Sequence, residues 1–146
     1  MADDQIKTLF GDTILTKVGE ENQVSETLQN KHIGVYFSAQ WCSPCRIFTP
    51  KLTKTYEELK TKGQEFEVVF VSSDGDESSF NEYYGKMPWC ALPFADTERG
   101  HMLREKFDVR GIPALVIVND KGEVSSFFHR TFDGDVLLII QFCFSL

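Results

Sequence analysis

The sequence predicts an α/β domain, with a central mixed β-sheet flanked by helices and an N-terminal hairpin. Three observations carry this. Apolar runs at 33–37, 66–71 and 114–118 show little polar alternation, as expected of strands covered on both faces. Segments with helical spacing of apolar residues separate them, at 43–62, 76–84 and 97–107. Asn119-Asp120-Lys121-Gly122 then forms a strong hairpin turn into 124–128, which adds an antiparallel pair to a crossover-connected sheet.

Taken in order, residues 7–16 read as two short strands around a Gly11-Asp12 turn, the expected hairpin. Residues 23–29 read as a short helix with Val24 and Leu28 on one face. In 43–62, Phe48, Leu52, Tyr56 and Leu59 form one stripe. Pro44 sits in the first turn, where its missing N–H costs nothing, whereas Pro50 is interior and predicts a kink. Gly63 supplies the stop, and Ser72-Ser73-Asp74-Gly75 ends the strand that follows. Asp76 is placed to cap a helix running to about Tyr84, with Phe80 and Tyr84 facing inward. Residues 86–94 contain Pro88 and Pro93 and cannot be one regular element. The 97–107 helix pairs Leu103 with Phe107, and Gly111-Ile112-Pro113 turns the chain into the third apolar strand. No repeat, linker or low-complexity stretch divides the chain, so residues 1–146 read as one domain.

Composition narrows the function classes. With 15 basic against 22 acidic side chains the formal charge is −7, which disfavours a nucleic-acid backbone as direct partner. Four cysteines are too few and too unevenly spaced for a secreted disulfide scaffold. The first residues lack the apolar core of a secretory signal, and no apolar stretch approaches the ~20 residues of a membrane span. The expectation is an intracellular protein in a reducing compartment, where paired cysteines are catalytic or metal-binding rather than structural.

The chemistry centres on Trp41-Cys42-Ser43-Pro44-Cys45, at a strand-to-helix junction. A helix start brings unpaired N–H groups and the positive end of the helix dipole to the first sulfur of such a pair, which favours a nucleophilic thiolate. Cys42 is therefore the expected exposed, attacking sulfur, and Cys45, one turn inside, the sulfur that resolves the mixed disulfide. Trp41 would wall the site and offer an apolar platform to a partner. The alternative is half of a zinc site, which needs two more ligands, usually closely paired. Cys90 and Cys143 stand alone and His32, His101 and His129 are scattered, so the redox reading is preferred and no metal is expected.

Tyr36-Phe37-Ser38-Ala39, Trp41-Cys42, Pro44-Cys45-Arg46 and Phe48-Thr49-Pro50 resemble the nucleoredoxin and tryparedoxin branch of the thioredoxin superfamily. So do 66–72 with Asp74, Met87-Pro88-Trp89 and Gly111-Ile112-Pro113, over about residues 7 to 130 in one order. The resemblance implies a thioredoxin-like fold and an enzyme that reduces protein disulfides by dithiol exchange without a bound cofactor. It implies that Ile112-Pro113 is a cis-proline opposite the cysteines, binding substrate together with Trp41, Ser43 and Pro44. Tyr36 stands where ordinary thioredoxins carry a buried acid, and equally reads as a core aromatic. Asp74 resembles an acidic residue kept near the dithiol, a proton shuttle for Cys45, and reads nearly as well as a turn cap. Ser43, where close relatives often have proline, is a departure that should alter the redox potential.

Expected partners are protein disulfide substrates and an upstream reductant, in the cytoplasm and also the nucleus. A competing class is a redox-switched binding protein acting on signalling or transcription-related partners. Cys90 reads first as a buried small hydrophobe and second as a regulatory or dimer-forming thiol. Residues 136–144 are apolar on almost every side, so they pack on the domain or against another copy in a homodimer. Cys143 within them is a further candidate regulatory thiol. Cys143-Phe144-Ser145-Leu146 has the position of a prenylation box, but its middle residues are poor and no polybasic segment precedes it.

Overall fold

A computed structural model describes residues 2–129 and Ile140. The chain runs α1 (Ala2–Phe10), β1 (Thr13–Lys17), β2 (Glu20–Gln23), α2 (Val24–Thr27), β3 (His32–Ser38) and α3 (Ser43–Thr61). It continues with β4 (Phe66–Ser72), α4 (Glu77–Tyr84), β5 (Cys90–Ala91), α5 (Thr97–Lys106), β6 (Ala114–Val118) and β7 (Val124–His129). The strands form one seven-stranded sheet in the order β2-β1-β5-β4-β3-β6-β7. β4 is parallel to β3 and β5, while β6 is antiparallel to β3 and β7, so the sheet is mixed as expected.

Because successive strand residues point to opposite faces, the apolar runs feed two cores. Ile33, Val35 and Phe37 of β3 and Val116 and Val118 of β6 face one side, against Ile6, Leu9 and Phe10 of α1 and Leu103 of α5. Tyr36, Phe70, Leu115 and Ile117 face the other, against Leu52, Tyr56 and Leu59 of α3 and Phe80 and Tyr84 of α4. β3 lies between β4 and β6, with residues 33–38 buried and its first residue, His32, half-buried. Gly34 is needed there, since a Cβ would stand 3.1 Å from both the Leu115 and Phe66 side chains. Ile140 is buried in the second core, so one residue of the apolar 136–144 stretch packs within its own chain; the rest of that stretch, Cys143 included, lies outside the described residues.

The N-terminal expectation needs correction. Residues 7–10 are the last turn of a helix, and the hairpin is β1–β2, registered from Thr13↔Gln23 to Lys17↔Glu20. Ile6, Leu9 and Phe10 occupy one buried helical face, and Gly11 ends the helix with φ 83° and an N–H bond to the Lys7 carbonyl. Glycine past a helix end and glycine in a hairpin turn have the same conformational reason, and that ambiguity misplaced the hairpin. Elsewhere, Asp76 caps α4 by accepting the Ser79 N–H at 2.7 Å. Within 86–94, the two residues of β5 between the prolines join β1 to β4.

Candidate active site

β3 ends at the centre of the sheet, and α3 begins five residues later with Cys42 as its N-cap (φ −92°, ψ 111°). The Cys42 carbonyl accepts the Arg46 N–H at 3.1 Å, which starts the helix. Cys42, Cys45 and Cys90 are free thiols. Cys42 is not the exposed sulfur expected: the Ile112 carbonyl oxygen lies 3.8 Å from its sulfur and it is only 6% exposed, while Cys45 is fully buried. The Ile112–Pro113 bond is cis, as the resemblance implied, so the dithiol and the Gly-Ile-Pro turn face each other.

Around the pair, Trp41 is 64% exposed and its indole N–H donates to the Ser73 carbonyl at 3.2 Å. Ser43 and Pro44 are exposed, and so is Ile47, giving an apolar collar beside Cys42. Asp74 is buried. Its carboxylate accepts the Gln40 N–H at 2.8 Å and the Ser72 hydroxyl at 2.6 Å, clamping the β4 end to the loop before Trp41. Arg104 supports the same loop by donating to the Ser72 carbonyl at 2.6 Å.

Burial, with a hydrogen bond to Cys42, pushes the Cys45 thiol up to about 12. Behind it stands a cluster of hydroxyls. Ser38 tempers that rise and lies 2.8 Å from the Tyr83 hydroxyl. Thr49 lies 2.8 Å from Tyr83 and 2.7 Å from Tyr36, and donates to the Cys45 carbonyl at 2.8 Å. Burial raises the Tyr36 and Tyr83 phenols, so both remain protonated donors at neutral pH. Tyr36 is thus both a core aromatic and a neighbour of the dithiol.

The family model described as thioredoxin-like matches residues 30–124. The chain belongs to the thioredoxin-like family. Within it, the chain is 51% identical over 113 residues to probable nucleoredoxin 1 of Arabidopsis thaliana, covering 77% of this chain and 19% of that protein. It is 45% identical over 100 residues to human nucleoredoxin, covering 68% and 23%. Tryparedoxin II from C. fasciculata superposes with a TM-score of 0.81 at 36% identity, covering 90% of this chain and 87% of that one. The branch is therefore the nucleoredoxin–tryparedoxin one, and the chain is a thioredoxin-family redox protein similar to both. It spans about a quarter or less of the curated nucleoredoxins it matches here.

Of the residues singled out from sequence in this thioredoxin-like chain, Tyr36, Trp41, Cys42, Ser43, Pro44, Cys45, Asp74, Ile112 and Pro113 come together at the ends of β3 and β4. Cys90 is set apart: it pairs with Val69 in mid-sheet, is buried, and is pushed up to about 12 by burial and the nearby Glu67 carboxylate. Trp89 of the Met-Pro-Trp motif is a core residue, edge-on to Tyr36 at 6.1 Å and Tyr56 at 5.6 Å. Among the described residues, no group of three or more His, Cys, Asp or Glu side chains is placed to hold a metal, and no helix is long and apolar enough to cross a membrane. Sequence reasoning missed Ser38, Ile47, Thr49 and Tyr83. The available signal was local: Ser38 is the polar end of an apolar strand, and Thr49 lies four residues, one helical turn, beyond Cys45.

Proposed function

We propose that this protein reduces protein disulfides by dithiol exchange. The observation that supports it most is the unequal placement of the two thiols, Cys42 retaining 6% exposure against the Ile112 carbonyl and Cys45 having none. Cys42 attacks a substrate sulfur, and the substrate's other sulfur leaves as a thiol. Cys45 then attacks Cys42 Sγ, closing the Cys42–Cys45 disulfide and releasing the second substrate thiol. An external dithiol system must restore the pair. Trp41, Ser43, Pro44 and Ile112-Pro113 form the substrate platform, the Ile112 carbonyl helping to orient the Cys42 sulfur. Asp74 acts as a positioning residue through Gln40 and Ser72. The reaction needs no metal or bound cofactor, and the cytoplasm and nucleus supply the reducing setting.

Insulin-disulfide reduction tests the reading: the wild type should turn over and Cys42→Ser should not. Trapping with Cys45→Ser should leave protein substrates attached through Cys42, and recovery of no adduct from cells argues against reductase action. The exposed collar of Trp41, Pro44 and Ile47 favours a second reading, in which the same dithiol governs association with a signalling or transcription-related partner. An inactive wild type in the insulin assay selects it.

A further inference from the structure

The Trp41 ring is exposed, and its indole N–H is tied to the Ser73 carbonyl at 3.2 Å. A ring held in this way is aimed only as well as that carbonyl is held. At the front of the loop, the Ser73 N–H donates to the Ser38 carbonyl at 2.9 Å, and Asp74 accepts the Gln40 N–H. The rear of the loop borders an open cavity of about 460 Å³, lined also by Leu92, Phe94 and His101, so close packing does not brace it there. Arg104 of α5 braces it instead. One guanidinium nitrogen, Nη2, donates to the Ser72 carbonyl at 2.6 Å and to the Ser73 hydroxyl at 3.2 Å.

Two further features fit Arg104 to this place. Arg99 and Arg110 pair with Asp96 and Asp108, whereas Arg104, half-buried, forms no ion pair among the described residues. The oxygens of the loop are therefore what offsets the burial of its charge. Gly100, one turn earlier, lies inside α5 without a positive φ, where glycine weakens a helix relative to alanine. A Cβ there would stand 3.2 Å from Arg104 Nη1, with Val71 next at 3.7 Å, so the glycine clears the path of the guanidinium. We infer that Arg104, in the space Gly100 leaves it, is a positioning residue for Trp41: it fixes the Ser72–Ser73 segment from behind, aims the indole and so sets affinity for the protein disulfide. The effect on substrate rests on the dithiol-exchange reading, while the state of the Trp41 indole is measurable without turnover.

The chain has two tryptophans, so nitrogen-labelled reduced protein gives two indole N–H signals, and Trp41→Phe identifies that of Trp41. Arg104→Met should move the Trp41 signal toward that of a free, water-bonded indole and speed its exchange with solvent, leaving the signal of the buried Trp89 in place. In insulin reduction the same variant should raise KM about fivefold or more with kcat within about twofold, the scale of a disordered aromatic anchor. Made on Trp41→Phe, which lacks the indole N–H, Arg104→Met should add less than about twofold in KM, because the two residues act in one chain. An unmoved Trp41 signal overturns the inference. So does a KM effect that multiplies in full on Trp41→Phe, as general damage to the domain would give. Arg104→Lys keeps the charge but its ammonium ends one bond short of Nη2, and it carries the same test if Arg104→Met does not fold. A wild type with no insulin turnover instead removes the dithiol-exchange reading, and the Trp41 signal still decides whether Arg104 holds the indole.

Discussion

Replacing Cys90 by valine tests whether this thiol is a sealed core group or a reactive one. Burial and the Glu67 carboxylate hold Cys90 at about 12, up from 9.0. A thiol raised in the folded state adds stability that is fully present below the unfolded value. That contribution is lost as pH rises toward the folded one, because the unfolded chain releases its proton first. At about pH 10.5, some 1.5 units into that window, the loss is about 2 kcal/mol at ~1.36 kcal/mol per unit. Cys45 is raised in the same direction, and so are Tyr36, Tyr56 and Tyr84, so the wild type weakens at alkaline pH in any case. The informative quantity is the difference between wild type and Cys90→Val. Urea unfolding from neutral to alkaline pH should show the variant within about 1.5 kcal/mol of wild type near neutrality, as for a near-isosteric core swap, and gaining about 2 kcal/mol on it by about pH 10.5. Stability curves that stay parallel refute the reasoning. For the same reason Cys90→Ser should leave any oxidised oligomers unchanged on a non-reducing gel, and their disappearance makes Cys90 a working redox thiol.

Trp41→Ala removes an exposed platform without touching the sulfurs, so KM for insulin should rise about fivefold or more while kcat falls far less, a hot-spot loss of ~1–2 kcal/mol; a fall in kcat alone argues against a docking role. Asp74→Ala unties Gln40 from Ser72 and should cost about 2 kcal/mol in urea unfolding, with Asp74→Asn costing less because its amide still accepts the Gln40 N–H. Gly34→Ala drives a Cβ to 3.1 Å from Leu115 and Phe66 and should cost about 1–3 kcal/mol, with an unchanged melting midpoint contradicting the packing described for β3.

Much of the fold was readable because it depends on local patterns. The runs of β3, β4 and β6 are apolar on both faces since helices cover both, and such runs need no partner to be recognised. Asp76 announces α4, and Asn119 and Gly122 announce the last hairpin, through bonds to their own neighbours. The N-terminus was misread where Gly11 permits two structures, and β5 was invisible because two residues carry no period. The dithiol and its cis-proline were legible as motifs, whereas their support was not. Tyr83 reaches Ser38 across 45 positions and Thr49 across 34, and nothing near Tyr83 distinguishes it from Tyr84, which faces the Leu15 and Trp89 carbonyls instead. Spacing along the chain carries no information about that convergence; only the packing of α4 against α3 and β3 creates it.

The two functional readings then reduce to one rate. Cys45 has no solvent exposure, so the proposed dithiol exchange runs in one order, Cys42 first and Cys45 second. Burial raises the Cys45 thiol, so loss of its proton weighs on the second step. If Cys45 loses its proton readily, the mixed disulfide is brief and the protein turns over as a reductase. If it does not, the same collar and the same Cys42 hold a partner covalently for as long as Cys45 stays protonated, which is the behaviour of a redox-switched binder. On the proposed reading, enzyme and switch are two settings of the resolving step, the rate at which Cys45 displaces the partner from Cys42.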